Sequence, residues 1–171
     1  MKHGTVSLVV GAVLASATFF GAYTGVGAHP PTDLLNAYPS REALGRAVVR
    51  ALNRRDRKAL GALRVTRGEH RHLLWEQLPE AGSMPWGMAW ELMERNSRKG
   101  ARMAVSDWGG QHLELLRIEV TDDPEEFEGF RLYMDSRLWV RRISDGQEGT
   151  IPVLDVLVER NGWWKLLDIE E

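Results

Sequence analysis

The dipeptide Asn161-Gly162, set between "VLDVLVER" and "WWKLLDI", constrains the fold more than any other feature of the chain. Asn-Gly between alternating apolar runs is a strong hairpin signal, because a two-residue type I′ turn needs positive φ at both positions. Pairing outward from it sets Arg160 against Trp163, Val158 against Lys165, Val156 against Leu167 and Leu154 against Ile169. That face is almost wholly apolar, so it is expected to be the one that helices cover. The opposite face sets Glu159 against Trp164, Leu157 against Leu166 and Asp155 against Asp168. Side chains alternate along a strand, so Trp163 is expected in the core and Trp164 on a second, mixed face.

Upstream, the same period-two pattern runs back to Gln111, through "QHLELLRIEV", "RLYMDSRLWVRR" and "TIPVLDVLVER". A three-residue loop Ser144-Asp145-Gly146, with Gly146 left-handed, keeps Leu138 and Val140 on the core face. It also places Asp135 opposite Asp155. The first half of the chain is helical instead. Ser40 is a good N-cap for "REALGRAVVRALN", in which Leu44, Val48 and Leu52 recur at helical spacing. Asp56 caps a short second helix. Thr66 and Glu69 match a capping box opening "RGEHRHLLWEQL", which Pro79 stops. Pro85 suits the start of another helix, one that Gly100 interrupts and Gly109-Gly110 ends. The fold class is therefore α+β: N-terminal helices packed on a twisted four-stranded antiparallel meander.

The N-terminus divides from this domain. Residues 1–28 carry Lys2 and then no charge before Asp33. They read as a secretory signal cut after Ala28, or as an uncut anchor over residues 5–28. Six arginines between positions 41 and 57 favour the anchor orientation that keeps the following domain cytoplasmic. The proline-containing stretch 29–39 reads as a linker to the domain at 40–171. Export to the periplasm or medium is the expected localisation, with a membrane involved only if residues 1–28 are retained. The sequence contains no cysteine, which excludes disulfides, thiolate metal sites and a lipid-bearing cysteine.

Several constellations bear on function. The mixed sheet face assembles Asp135, Asp155 and Asp168 in a row bordered by Arg137, Trp139 and Trp164. Like charges directly opposite are unfavourable, so the row is expected to be a ligand or interface surface, or an exposed face screened by Arg137 and solvent. Trp86 and Trp90 lie on a helical stripe with Met93, either as core or as the wall of a pocket for a small apolar ligand. His112 and Glu114, near the Gly109-Gly110 bend, either line a pocket mouth or sit on the surface. His70 and His72 are two apart on a helix, hence on nearly opposite sides, and no metal or cofactor is expected. No nucleophile elbow or phosphate loop is present.

Charge is segregated. Residues 41–72 hold ten Lys or Arg against three acids, and residues 111–171 hold seven against fifteen. Either the basic helices pair with the acidic sheet, or they meet an anionic molecule or membrane surface. Nucleic acid is not expected, since no aromatics are interleaved with the basic residues.

The closing "NGWWKLLDI", with "LGALRVTRGEH" and "ERNSRKGARMAVSDWGG", resembles the nuclear-transport-factor-2-like superfamily, which includes the ketosteroid-isomerase-like proteins. The resemblance covers residues 40–171 and is mainly architectural. It implies a cone-shaped fold, a pocket between helices and sheet, and a homodimer through the outer sheet face, where Trp164 would offer an apolar patch. Catalytic members carry an acid or a histidine in the cone; no residue here aligns with those positions, so no catalytic residue is carried over. The expectation is a non-enzymatic exported domain that binds a small molecule or protein, or dimerises. The alternatives are a small-molecule isomerase or dehydratase-like enzyme and a membrane-tethered envelope interaction protein.

Overall fold

The computed structural model describes residues 31–120 and 123–169. The apolar segment 1–28, read above as a signal or anchor, lies outside the described residues. Helix α1 (Arg41–Asn53) starts where Ser40 Oγ accepts from the Ala43 N–H, and α2 (Arg57–Ala62) where Asp56 does the same for Ala59. At α3 (Arg67–Glu69) both halves of the Thr66–Glu69 capping box are made. The chain continues through a π turn, His70–Leu74, and two short 3-10 turns that end before Pro85. Helix α4 (Trp86–Trp108) then runs unbroken. Gly100 does not interrupt it: that residue is buried within the helix. Among the described residues no helix is long and apolar enough to cross a membrane.

Among the described residues seven strands follow, in two antiparallel sheets. They are β1 (Leu113–Glu119), β2 (Glu125–Phe127), β3 (Phe130–Tyr133), β4 (Arg137–Arg142), β5 (Glu148–Ile151), β6 (Val156–Arg160) and β7 (Trp163–Asp168). Sheet order is β1-β4-β5 in one and β2-β3-β6-β7 in the other. The α+β class stands; the expected single meander is divided, because two of its four strands each break in the middle. One break is at Asp135, whose φ of 46° is left-handed. The other begins at Pro152, which cannot donate to a ladder. Leu138 faces Ile151 while Tyr133 faces Leu157, so the β5–β6 side carries one more residue across the kink. The connection before it closes at Arg142 and Gln147, making the loop 143–146 four residues rather than three, with Gly146 left-handed at φ 71°. Leu138 and Val140 still point inward; it is the partner strand that shifts.

The final hairpin forms as expected, with Asn161 at φ 53° and Gly162 at φ 80°. Its register holds from Arg160–Trp163 to Leu157–Leu166; a bulge then sets Val156 opposite Asp168 rather than Leu167. Both faces of this sheet are covered. Leu157, Leu166 and Ile169 join the main core beneath α1, with Leu44, Val48 and Leu52. Val158, Val156, Leu167 and Leu132 pack into a second cluster with Leu34, Val65, Leu74 and Leu78. Helix α1 sits tightly on β1, since a Cβ at Gly45 would come within 2.8 Å of the Ile118 side chain. Asn53 fixes the start of β1 by bonding both backbone groups of Leu113, at 2.8 and 2.7 Å.

The stretch read as a linker is docked instead over its described part. Leu34 is buried, and Tyr38 exchanges both backbone hydrogen bonds with Trp164, at 2.9 and 2.8 Å. Val65 likewise donates to Leu166 at 2.8 Å. The β7 edge is thus paired at Trp164 and Leu166 rather than left as a template for another chain.

Candidate functional site

The split of the sheets disperses the expected carboxylate row. Asp135 is exposed at the β3–β4 break, Asp155 is half-buried in the segment before β6, and Asp168 ends β7; none of the three pairs with another across a ladder. Arg137 and Trp139 belong to the other sheet, where Trp139 Nε1 donates to Glu119 at 2.6 Å and the Arg117 guanidinium lies 4.2 Å from the ring. The tryptophan assignment is reversed. Trp163 is 44% exposed, whereas Trp164 is half-buried against Tyr38 and 4.9 Å from Tyr133. The physical reason is the second cover: the face carrying Trp164 is the one beneath α1. Trp164 is therefore not an apolar patch on an uncovered face. His112 and Glu114 are exposed, the latter 3.6 Å from Arg141, and neither lines the clefts described below.

What the fold does assemble is a cleft of about 360 Å³ between α4, the turns after α3 and the second face of the four-stranded sheet. Its walls are mainly apolar, including Trp75, Leu78, Met93, Leu132, Met134 and Leu167. Five polar side chains interrupt them: His70, Glu80, Asn96, Glu125 and Asp168. Asp168 Oδ1 accepts from Ser97 Oγ and from the Ile169 N–H, so its carboxylate is held against α4.

His70 is 3% exposed. Its ring lies 5.8 Å from Trp75 and 5.4 Å from Trp90, and its Nδ1 accepts the Trp86 indole N–H at 3.1 Å. Burial, with a smaller contribution from the nearby Arg64 charge, lowers its pKa to about 4. The ring is therefore neutral at neutral pH. A neutral imidazole that accepts at Nδ1 must carry its proton on Nε2, and this histidine is one of the residues that line the cleft. Trp86 is itself clamped between the guanidiniums of Arg67 and Arg71, at 5.0 and 4.9 Å. Of the expected pocket residues, Trp90 is core behind the histidine and Trp86 is its hydrogen-bond partner.

A pH dependence follows. The folded chain holds His70 neutral below the usual histidine range, while the unfolded chain protonates it normally. Stability present above about pH 6.5 is then lost as pH falls toward 4. In His70→Gln that part of the acid loss should disappear from thermal midpoints measured between these pH values. An unchanged pH profile would show that His70 is not the buried neutral group described.

In the sequence His70 stands out only as a metal-ligand candidate, which its spacing from His72 does not support. Its position four residues before the buried Leu74 was the signal available, since that spacing puts both on one helical face. Beneath it lies a second buried polar pair. Glu69, fully buried, takes the Lys165 ammonium at 2.9 and 3.2 Å and the N–H groups of Thr66 and Leu35. Burial acts to raise the Glu69 pKa, and the hydrogen bonds from Thr66, Lys165 and Leu35 outweigh it, so the net direction is down. Lys165 also donates to the Leu35 carbonyl at 3.0 Å. This cluster has every oxygen engaged and serves to clamp β7, α3 and the N-terminal segment behind the cleft. No protein-family model, curated protein or solved structure matches the chain.

Proposed function

We propose that the chain is a binding module that holds a small, mainly apolar molecule in the cleft between α4 and the four-stranded sheet, through one acceptor atom on the His70 Nε2–H. The observation that carries this reading is a mainly apolar cavity lined by a buried, neutral histidine whose proton sits on Nε2, an apolar wall with few polar groups being the usual design of small-molecule sites. The resemblance to nuclear-transport-factor-2-like domains supports it, since those domains carry a pocket between helices and sheet. The pKa of about 4 argues against general acid–base catalysis by this histidine at neutral pH. Export remains part of the proposal, on the strength of the apolar segment 1–28.

Titration of the full chain with the neutral dye N-phenyl-1-naphthylamine tests the cleft. Saturable one-site fluorescence enhancement is expected, lost in Met134→Trp, which fills the cavity from its half-buried wall. Binding that survives this substitution in a folded variant, or the lack of any saturable binding, would refute the cleft as the site. The mass of the chain recovered from its host tests export: loss of residues 1–28 supports it, and an uncut chain confined to membranes overturns it.

A further inference from the structure

A second and larger concavity, of about 1010 Å³, lies on the other side of α4, between that helix and α2. Six arginines line it, Arg57, Arg64, Arg67, Arg95, Arg98 and Arg102, against two acids, Glu91 and Glu94. Arg95, Arg98 and Arg102 stand three and four apart on α4 and so share one face, where like charges repel. Glu94 offsets part of this by bonding both Arg64 and Arg98, each at 2.8 Å. Arg57, Arg95 and Arg102 are exposed, and their side chains have no ion pair or hydrogen bond within the described residues.

Arg64 gives the groove a chemical bias. It is only 6% exposed, held by Glu94 and by the Leu167 carbonyl at 3.3 Å, and stacked 6.0 Å from Trp90. Its Nη2 is buried with no hydrogen-bond partner among the described residues. An unsatisfied buried guanidinium nitrogen is costly, and a fork of this kind matches oxyanions. Among the described residues, the ion pairs made by the groove arginines run to Glu94 on α4 and not to the acidic sheet. The salt bridges of Arg131, Arg141 and Arg142 stay within the strands and their loops. Glu69–Lys165, which joins the helical half to the sheet, has the opposite polarity.

We infer that this groove is an anion site, separate from the apolar cleft, for a small molecule bearing two or more phosphate or carboxylate groups. One group reaches toward Arg64, and the others lie along the α4 arginine stripe. A concave site whose lining includes the buried Arg64 suits a small molecule better than a flat lipid surface. Trp90, 9% exposed, offers no open stacking platform for nucleic acid bases.

Isothermal titration of the full chain with tripolyphosphate and with citrate, at low and at physiological salt, tests the inference. At least one is expected to bind at a single site, more weakly as salt rises. The combined variant Arg95→Gln and Arg102→Gln is expected to lose about tenfold or more in affinity. Both residues are exposed, so the fold is kept, as circular dichroism will verify. Arg64→Lys retains the charge and removes the fork, and should weaken binding further. Tighter tripolyphosphate identifies phosphate as the recognised chemistry, and tighter citrate identifies carboxylate. No saturable binding of either anion overturns the inference. So does binding untouched by the double substitution, or binding only to phosphatidylglycerol vesicles.

Discussion

Lys165→Met is expected to destabilise the fold by about 3–5 kcal/mol, the typical cost of removing one partner from a buried ion pair. The ammonium is within 3.2 Å of both Glu69 oxygens, and neither residue reaches water. Without it the carboxylate keeps only the Thr66 and Leu35 N–H groups. The pH dependence should change sign. In the parent chain Glu69 titrates below its ordinary value, so its contribution is present above about pH 4.5 and is lost as pH falls through the folded value. In the variant burial acts with less opposition and the carboxyl titrates high, so acid relieves the buried charge. Urea midpoints of the two chains should therefore converge between pH 7 and 4. Adding Glu69→Leu should restore part of the loss, though not all, because Thr66 and Leu35 then lack an acceptor. A cost under about 1 kcal/mol at pH 7 would mean that water reaches the pair.

This clamp marks what the sequence could and could not convey. Glu69 was legible as half of a capping box, since that motif is local and needs only three residues of spacing. Its second role was not legible, because Lys165 is brought to it by tertiary packing from the far end of the chain. The same distinction holds elsewhere. Ser40 and Asp56 act on backbone groups three residues away and Asn161-Gly162 sets its own positive φ, and each does so in the structure. Pro152 was readable as a strand breaker, yet the apolar pattern around it favours one continuous strand; the missing N–H decides the matter. The short β2–β3 hairpin was missed although Gly129, at φ 84°, sits between Phe127 and Phe130, whose rings stack at 4.7 Å. Of the candidate site, Trp86 and Trp90 were picked out by helical spacing. The group that gives them a role, His70, lies in an earlier turn of the chain.

The two-sided burial of β6 makes the other large prediction. Leu157 and Val158 are neighbours on the strand, point to opposite faces and are both fully buried. Leu157→Ala should cost about 2–5 kcal/mol, from lost transfer energy and the cavity left beneath α1. Val158→Ala should cost about 1–3 kcal/mol through the second cluster, with Leu74 and Leu78. A sheet with one wet face would tolerate one of these changes, so comparable losses in denaturant midpoint separate the two architectures. The tryptophans sharpen the contrast. Trp163 is 44% exposed at the hairpin end, and Trp163→Glu should leave stability within about 1 kcal/mol of the parent chain. Trp164 packs against Tyr38 and Tyr133 and shares its backbone bonds with Tyr38, so Trp164→Glu brings a charge against the main core and should cost several times more. If Trp163→Glu unfolds the domain while Trp164→Glu does not, the register stands but the faces are exchanged, and α1 must lie across the other side of the sheet.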